Sequence, residues 1–180
     1  MRTSFILSTL AIFITILLNC SPGGGKKEGS VIGRWNLVNV KDEKGKIMKG
    51  KSLVAADFNG KFSNDATEGA ELRVHMQIQD STVITIFYEY KNRKQAVLPQ
   101  NKYVNAIFKS SKGELADVKQ ILYNNMMVDT DQNMYDFLLS MKEPQEMRVE
   151  MQVADKNNHS VYIATIDTAG LFEALNKSRM

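Results

Sequence analysis

The sequence predicts a mainly β fold, an antiparallel β-sandwich or barrel of about eight strands with two short helices, preceded by a signal peptide. Apolar and polar residues alternate along several segments, most regularly in residues 71–79, as in strands with one buried and one solvated face. Short turn sequences such as Asn59-Gly60 and Asp80-Ser81 separate these segments. Only two segments after the signal peptide carry clear helical spacing, so the helices are additions to a sheet.

The first half of the domain is expected to contain six strands. Trp35 lies near the start of the first, and Asn59-Gly60 predicts a hairpin turn because both residues tolerate positive φ. Residues 64–69 are expected to form a loop. Residues 82–90 carry β-branched and aromatic residues on both faces, which favours a more central strand. The six expected strands are residues 33–40, 52–58, 61–63, 71–79, 82–90 and 103–109.

The second half adds a hairpin and one ambiguous segment. Residues 147–153 and 161–167 alternate in the manner of strands, and residues 155–159 are expected to turn the chain between them. The apolar residues of residues 114–128 fit either a helix or a strand. A strand is favoured in the second half of that segment.

Two short helices are predicted. One spans residues 131–141, is preceded by an aspartate as cap and ends before Pro144, because apolar residues recur at i, i+3, i+4 and i+7: Met134, Phe137, Leu138 and Met141. The other is capped by Thr168 or Asp167 and carries three apolar residues on one face: Leu171, Phe172 and Leu175.

The first 20 residues have the layout of an export signal. Arg2 precedes an apolar run at residues 5–18, and Cys20, the single cysteine of the 180 residues, follows the run. The run is shorter than the roughly 20 apolar residues that a spanning helix needs. The small residues of an ordinary cleavage site are missing, and nothing near Cys20 would activate its thiol. An uncleaved amino-terminal anchor and a non-lipidated signal are the alternatives.

The end of this run, Leu17-Leu18-Asn19-Cys20, resembles the lipobox of bacterial lipoproteins. The resemblance implies that the Cys20 thiol is diacylated, that the peptide is cut before it and that the protein is anchored to a bacterial membrane. Asn19 departs from the Gly, Ala or Ser that the pattern prefers. Ser21, rather than an aspartate, follows the cysteine, which under the best-known sorting rule permits delivery to the outer membrane.

The domain organisation follows from this signal. Residues 1–19 are the expected signal peptide, residues 20–30 a Gly-rich lipid-anchored tether, and residues 31–180 one β-rich domain large enough to bury a core. The formal net charge of +3 comes from interspersed charges of both signs, so no nucleic-acid partner is expected. Without a second cysteine the domain is expected to hold itself by its core.

No residue pattern indicates catalysis, a cofactor or a metal. His75 and His159 lack the spacing of a metal site, and no Gly-x-Ser-x-Gly motif is present. The acidic segment that begins at Asp129 resembles the start of a calcium loop, but Met134 and Ser140 occupy the positions that need Gly and Glu. A polar loop that caps the next helix is favoured. The chain is therefore predicted not to be an enzyme, with a hydrolase assembled from distant residues as a remote alternative.

Two family resemblances bear on the β domain. Gly33-Arg34-Trp35 is similar to the Gly-x-Trp opening of lipocalin-like domains, which implies a barrel with Trp35 at one end. The last hundred residues resemble envelope β-domains of the invasion-associated locus B type. That pattern includes a helix ending near Lys142 and a strand closing on Ile166-Asp167-Thr168-Ala169-Gly170. This second resemblance implies an envelope or secreted protein without a known active site.

The expected function is therefore that of a lipid-anchored bacterial envelope lipoprotein with a non-catalytic binding or structural role. Its partners are the membrane, through the lipid on Cys20, and a host or envelope protein. Recognition is expected from loops at residues 64–69, 91–102 and 155–159. The alternative is a lipocalin-like carrier of a small apolar ligand, with Trp35 at the closed end of its barrel; ordinary core burial is the simpler role for Trp35.

Overall fold

The computed structural model describes residues 29–90, 94–96, 103–111, 113, 115–123, 126–129, 133–155 and 158–179. This part of the chain forms one antiparallel sheet of eleven strands and two helices, which confirms the mainly β class. The strands are β1 (Gly29–Ile32), β2 (Trp35–Lys41), β3 (Ile47–Asn64), β4 (Thr67–Gln79), β5 (Thr82–Glu89), β6 (Lys94–Gln95), β7 (Tyr103–Ser110), β8 (Leu115–Tyr123), β9 (Met126–Asp129), β10 (Glu146–Asp155) and β11 (Asn158–Asp167). The helices are α1 (Asn133–Ser140) and α2 (Leu171–Ser178).

Eight of the strands close into a barrel. From β3 the pairing runs through β11, β10, β7, β8, β9, β5 and β4, and β4 pairs with β3 again. The long strand β3 makes this closure possible, because its carboxyl-terminal half pairs with β11 while its amino-terminal half pairs with β2. The hairpin of β1 and β2 therefore extends the barrel wall at one end.

Inward-facing side chains fill the barrel. Leu72, Val74, Met76 and Ile78 of β4 alternate with outward residues as predicted, and each is at most 2% exposed. The same alternation brings aromatic and sulfur-containing side chains inward from the other strands, and they form one core cluster with the buried residues of both helices. Members from the remaining strands include Phe58, Phe62, Phe87, Phe108, Met127, Met147, Met151 and Tyr162.

Trp35 and α2 close one end of the barrel, called here the closed end. The Trp35 side chain is fully buried, lies 5.4 Å from the Phe58 ring and donates its Nε1–H to the Asp167 carbonyl oxygen at 3.3 Å. Gly33 has φ +59°, and a Cβ there would overlap the Ala169 carbonyl oxygen. The two segments that carried the family resemblances, residues 33–35 and 166–170, therefore pack against each other.

The hairpin predicted at Asn59-Gly60 is wrong. Strand β3 runs through both residues, and the chain turns at residues 65–66 instead. Gly60 lies where β3 meets β11, and a Cβ there would overlap the Ile163 carbonyl oxygen. Glycine is required at position 60 because the two strands approach closely, and not because its φ is positive. The preference of Asn-Gly for tight turns therefore predicted the hairpin at the wrong place. The loop predicted at residues 64–69 shortens accordingly, because β4 begins at Thr67.

Residues 114–128 are strand in both described parts, β8 and β9, so the helix considered there is wrong. Among the described residues the first strand begins at Gly29, two residues before the expected start of the β-rich domain at residue 31. The cap predicted for α2 is also wrong, because Gly170 is the N-cap residue and no side chain caps the helix. The Thr168 hydroxyl donates to the Gln145 carbonyl oxygen instead, and the Asp167 carboxylate accepts the Ala169 N–H.

Candidate functional site

The two ends of the barrel differ, and the chain enters at the closed end. Gly29 of β1 lies opposite Val38, and Val38 lies opposite Leu53, close to the tight turn at Asp80-Ser81. The turn predicted at Asp80-Ser81 is confirmed, and both turn residues have positive φ, 48° and 67°. The segment that leads from Cys20 into the domain therefore joins the barrel beside its closed end.

The other end, called here the open end, carries the strand ends from which the predicted recognition loops leave. The β3–β4 turn lies there, and Val161 of β11 pairs with Ser63 of β3, which brings the β10–β11 hairpin to the same end. Strand β5 also finishes there, since Leu72 of β4 lies opposite Glu89. The candidate functional site is this end of the barrel.

Aromatic side chains occupy the described part of the open end. The Phe62 ring lies 5.1 Å from Tyr90, edge to face, and 6.1 Å from Tyr162, nearly parallel. Tyr90 is 41% exposed, has φ 51°, and its hydroxyl lies 3.1 Å from the Thr67 hydroxyl. A non-glycine residue at positive φ is strained by about 1–3 kcal/mol. The contacts with Phe62 and Thr67 hold the Tyr90 ring at the rim in spite of that strain.

Below the rim, a buried tyrosine and a buried glutamate form a pair. The Tyr162 hydroxyl donates to Glu89 Oε1 at 2.9 Å, and both residues are at least nine-tenths buried. Burial, and then the adjacent Glu89 carboxylate, raise the pKa of Tyr162 above its usual range, whereas its hydrogen bond with Ser160 acts in the opposite direction. Tyr162 therefore stays a neutral donor through the physiological pH range, and the pair places one satisfied polar contact inside an aromatic core.

The two histidines lie in different places on the barrel. His75 lies on the outer wall, where its Nδ1 is 2.8 Å from Asp57 Oδ1. His159 belongs to β11 rather than to a turn, and it is exposed while its neighbour Ser160 is buried. The strand alternation thus directs these two side chains to opposite faces.

The acidic segment before α1 caps that helix, as the sequence favoured. The Asp129 carboxylate accepts the Met134 backbone N–H at 2.9 Å and lies at the helix amino terminus. Among the residues that the structure describes, no group of three or more His, Cys, Asp or Glu side chains could hold a metal ion.

A small cleft lies at the closed end, between α2, α1 and the β4–β5 turn. Its volume is about 210 Å³, and Asp80, Tyr135 and Arg179 are among its lining residues. Arg179 Nε donates to the Tyr135 hydroxyl at 2.8 Å, and Asp80 pairs with Lys51 at 3.7 Å, so these polar groups of the cleft already have partners within the protein. Pockets for drug-sized ligands measure about 300–1,000 Å³, so the cleft is small for such a ligand.

Of the residues proposed from sequence, Trp35 lies in the core of the closed end, whereas Cys20 and residues 91–93 and 97–102 lie outside the described residues. Sequence reasoning missed Glu89 and Tyr162, which are 73 positions apart. The one signal in the sequence was that Glu89 falls on the same face of β5 as Val83 and Phe87. The sequence did not show that this face points inward, because the opposite face of β5 is also apolar.

No known protein-family model, curated protein sequence or solved structure matches this chain. In the described part of the chain, neither helix has the length and apolarity required to span a membrane.

Proposed function

We propose that this chain is a lipid-anchored lipoprotein of a bacterial envelope, with a non-catalytic binding role at the open end of its barrel. The lipobox-like Leu17-Leu18-Asn19-Cys20 supports the anchor. The observation that carries the proposal is the difference between the two ends of the barrel. The chain enters beside the closed end, and the strand ends that lead into the predicted recognition loops lie at the opposite end.

This difference between the ends is what a tethered binding domain requires. Acyl chains on Cys20 would hold the protein at the membrane, since each buried methylene contributes about 0.8 kcal/mol and two chains suffice for stable anchoring. The Gly-rich tether then leads to Gly29 at the closed end. The open end, with Tyr90 at its rim, would face away from the bilayer, toward a partner in the periplasm or outside the cell.

The anchor is tested by Cys20→Ala in the full chain. We expect the variant to lose acylation and to move from the membrane fraction to the soluble fraction, or to accumulate as an unprocessed precursor. Mass spectrometry of the amino-terminal peptide distinguishes these forms. A Cys20→Ala chain that is processed and still bound to the membrane would contradict the lipid anchor.

The binding role is tested at the two ends of the barrel. Asp65 and Glu68 are exposed at the open end, and Glu43 and Lys44 are exposed in the turn after β2 at the closed end. Partner crosslinking in intact envelopes is expected to decrease for Asp65→Ala/Glu68→Ala combined with Tyr90→Ser. It should be unchanged for the control Glu43→Ala/Lys44→Ala. Equal crosslinking in both variants would locate the partner elsewhere.

The second candidate is a lipocalin-like carrier of a small apolar ligand. The closed ring of eight strands and the burial of Trp35 at one end favour it. The aromatic contacts of Phe62, Phe87 and Tyr162 across the interior favour the binding role instead, because those rings occupy space that a ligand would need. Saturable binding of one apolar fluorescent fatty acid per barrel, with a change in Trp35 fluorescence, would support the carrier.

A further inference from the structure

The cleft at the closed end is small and mostly polar. Its volume of about 210 Å³ equals the liquid volume of about seven waters, which leaves room for one small organic molecule. The buried side chains of Ile78 and Leu175 contribute an apolar part to its lining. The polar lining residues are Ser52, Gln79, Asp80, Ser81, Ser178 and Arg179.

Arg179 is held in place with one edge of its guanidinium group available. A guanidinium group can form paired hydrogen bonds along two edges, one that includes Nε and one between the two Nη atoms. Nε donates to the Tyr135 hydroxyl at 2.8 Å, and the buried Tyr135 ring supports the group, with its centroid 5.2 Å from Cζ. Among the described residues no carboxylate forms an ion pair with Arg179, whereas Arg34, Arg73 and Arg148 each have one. The Nη edge is therefore suited to a carboxylate from outside the protein.

Asp80 places the opposite charge on the same lining. Its Oδ2 lies 3.7 Å from Lys51 Nζ, and both side chains are about half exposed. Ion pairs with this exposure are weak, so a ligand ammonium group can share the Asp80 carboxylate at little cost. Helix α2 also ends at this cleft with Ser178, and the carboxyl end of a helix favours a positive group.

Serine hydroxyls add acceptors for an ammonium group. Ser178 Oγ donates to the Leu175 carbonyl oxygen at 2.8 Å, which leaves the lone pairs of that hydroxyl available. Ser52 lies on the same face of β3 as Val54, which pairs with Ile78 of β4. The Ser52 side chain is therefore on the side of the sheet that the cleft occupies.

We propose that this cleft binds a small zwitterion of the amino-acid class. The carboxylate of the ligand lies on the Nη edge of Arg179, and its ammonium group lies toward Asp80 and the serine hydroxyls. A simple anion would meet the Asp80 carboxylate, and a simple cation would meet Arg179, so a ligand that carries both charges is the better complement. A short apolar side chain then contacts Ile78 and Leu175.

The site is separate from the open end and independent of the lipid anchor, because all of its lining residues lie in the described domain at the closed end. The ligand would contact α1, α2 and the β4–β5 turn together. Binding to the folded chain alone raises its apparent stability by mass action. Thermal unfolding with and without ligand is therefore a second readout.

The test is calorimetric titration of the detergent-solubilised full chain with L-leucine. Acetate and methylammonium, which each carry one of the two charges, are titrated separately. We expect saturable binding of one L-leucine per chain, at least about tenfold tighter than binding of either single ion, because each charge adds its own contact.

Variants then locate the ligand. Arg179→Gln removes the charged Nη edge and should weaken L-leucine binding at least about tenfold. The control Lys177→Gln, exposed on the same helix and outside the lining, should bind within about twofold of the parent. Tyr135→Phe keeps the ring but removes the hydroxyl that orients Arg179, so it should also weaken binding. This second variant decides the question if Arg179→Gln does not fold.

Three results would overturn the proposal. No saturable binding with L-leucine at about 10 mM would show that the cleft does not take this class of ligand. Equally tight binding of acetate would assign the cleft to simple anions. Unchanged affinity in the folded Arg179→Gln or Tyr135→Phe chain would place the ligand elsewhere. None of these results affects the Cys20→Ala test or the crosslinking at the open end.

Discussion

The two faces of β5 and β9 are both apolar and both buried, but their side chains belong to two separate clusters. Val83, Phe87 and Met127 face the barrel interior and are buried by the other strands and the helices. Ile84 and Val128, their immediate neighbours, face outward and form a separate cluster that no described helix covers. An apolar residue on these strands therefore does not by itself reveal which face is the core.

This difference has a physical cause. The interior is a permanent part of the fold, because ring closure surrounds each inward side chain with strands on all sides. The outer face lies outside that ring, and its buried apolar side chains form a smaller cluster of their own. Adjacent residues of one strand should therefore respond differently to the same substitution.

The largest expected effect comes from a charge placed on each face. Val83→Asp puts a carboxylate into the closed interior and should cost more than about 4 kcal/mol, with loss of cooperative unfolding in urea. Ile84→Asp should cost less, because the side chain lies in a small cluster outside the closed ring of strands, where a carboxylate can reach water by a smaller rearrangement. The exposed Ile107→Asp is the control and should change stability by no more than about 0.5 kcal/mol. A loss at Ile84 equal to that at Val83 would show that both faces are permanent core.

A smaller effect is expected from the polar pair in the interior. Tyr162→Phe removes the donor to Glu89 and leaves a buried carboxylate oxygen without that bond, which should cost about 1–3 kcal/mol in chemical denaturation. Tyr90→Phe, at the exposed rim, removes a hydroxyl that solvent can replace and should cost less than about 0.5 kcal/mol. Similar losses for the two variants would argue against a closed interior near Glu89.

The same pair predicts a dependence on alkaline pH. Burial raises the pKa of Tyr162 in the folded state, so the unfolded chain loses this proton first, near the ordinary value of about 10. Below that pH both states keep the proton and the contribution is complete. Above it the unfolded state binds fewer protons than the folded state, so stability falls as pH rises. Urea midpoints at pH 9 to 11 should fall more steeply for the parent chain than for Tyr162→Phe.

The smallest effect concerns an unpaired hydroxyl in the interior. Thr85 is fully buried on the inner face of β5, and its Oγ1 has no hydrogen-bond partner among the described residues. Thr85→Val keeps the shape and removes that group, so we expect unfolding free energy to stay equal or to rise by about 1 kcal/mol. Thr82→Val, at the half-exposed start of the same strand, is the control and should have no measurable effect. A loss of more than about 1 kcal/mol in Thr85→Val would reveal a hydrogen-bond partner of the Thr85 hydroxyl.

Elements with strong local patterns were predicted correctly. Strand β4 alternates in both sequence and structure, Asp80-Ser81 turns the chain, and α1 carries Met134 and Leu138 into the core. Both faces of β5 were also recognised as apolar. These features depend on residues a few positions apart, so the chain reveals them without its neighbours.

The candidate site was not predictable to the same degree. The loops at residues 64–69 and 155–159 were proposed for recognition, but their common position depends on the pairing of β3 with β11, which are about a hundred residues apart. Glu89 meets Tyr162 through the same closure. The hairpin prediction at Asn59-Gly60 was wrong because Gly60 is required by the close approach of β11. That approach involves a distant strand, so no pattern among neighbouring residues indicates it.

The sequence by itself determined the β class, the alternation within most strands, the two helices and the pattern behind the proposed anchor at Cys20. All of these arise from side-chain periodicity or short motifs, which are local properties of the chain. Only the tertiary structure decided which apolar face of β5 is the interior and which end of the barrel Trp35 and α2 occupy. Alternation distinguishes two faces but does not say which is enclosed. Enclosure results from ring closure between distant strands, and so does the separation of the interior from the outward cluster of β5 and β9.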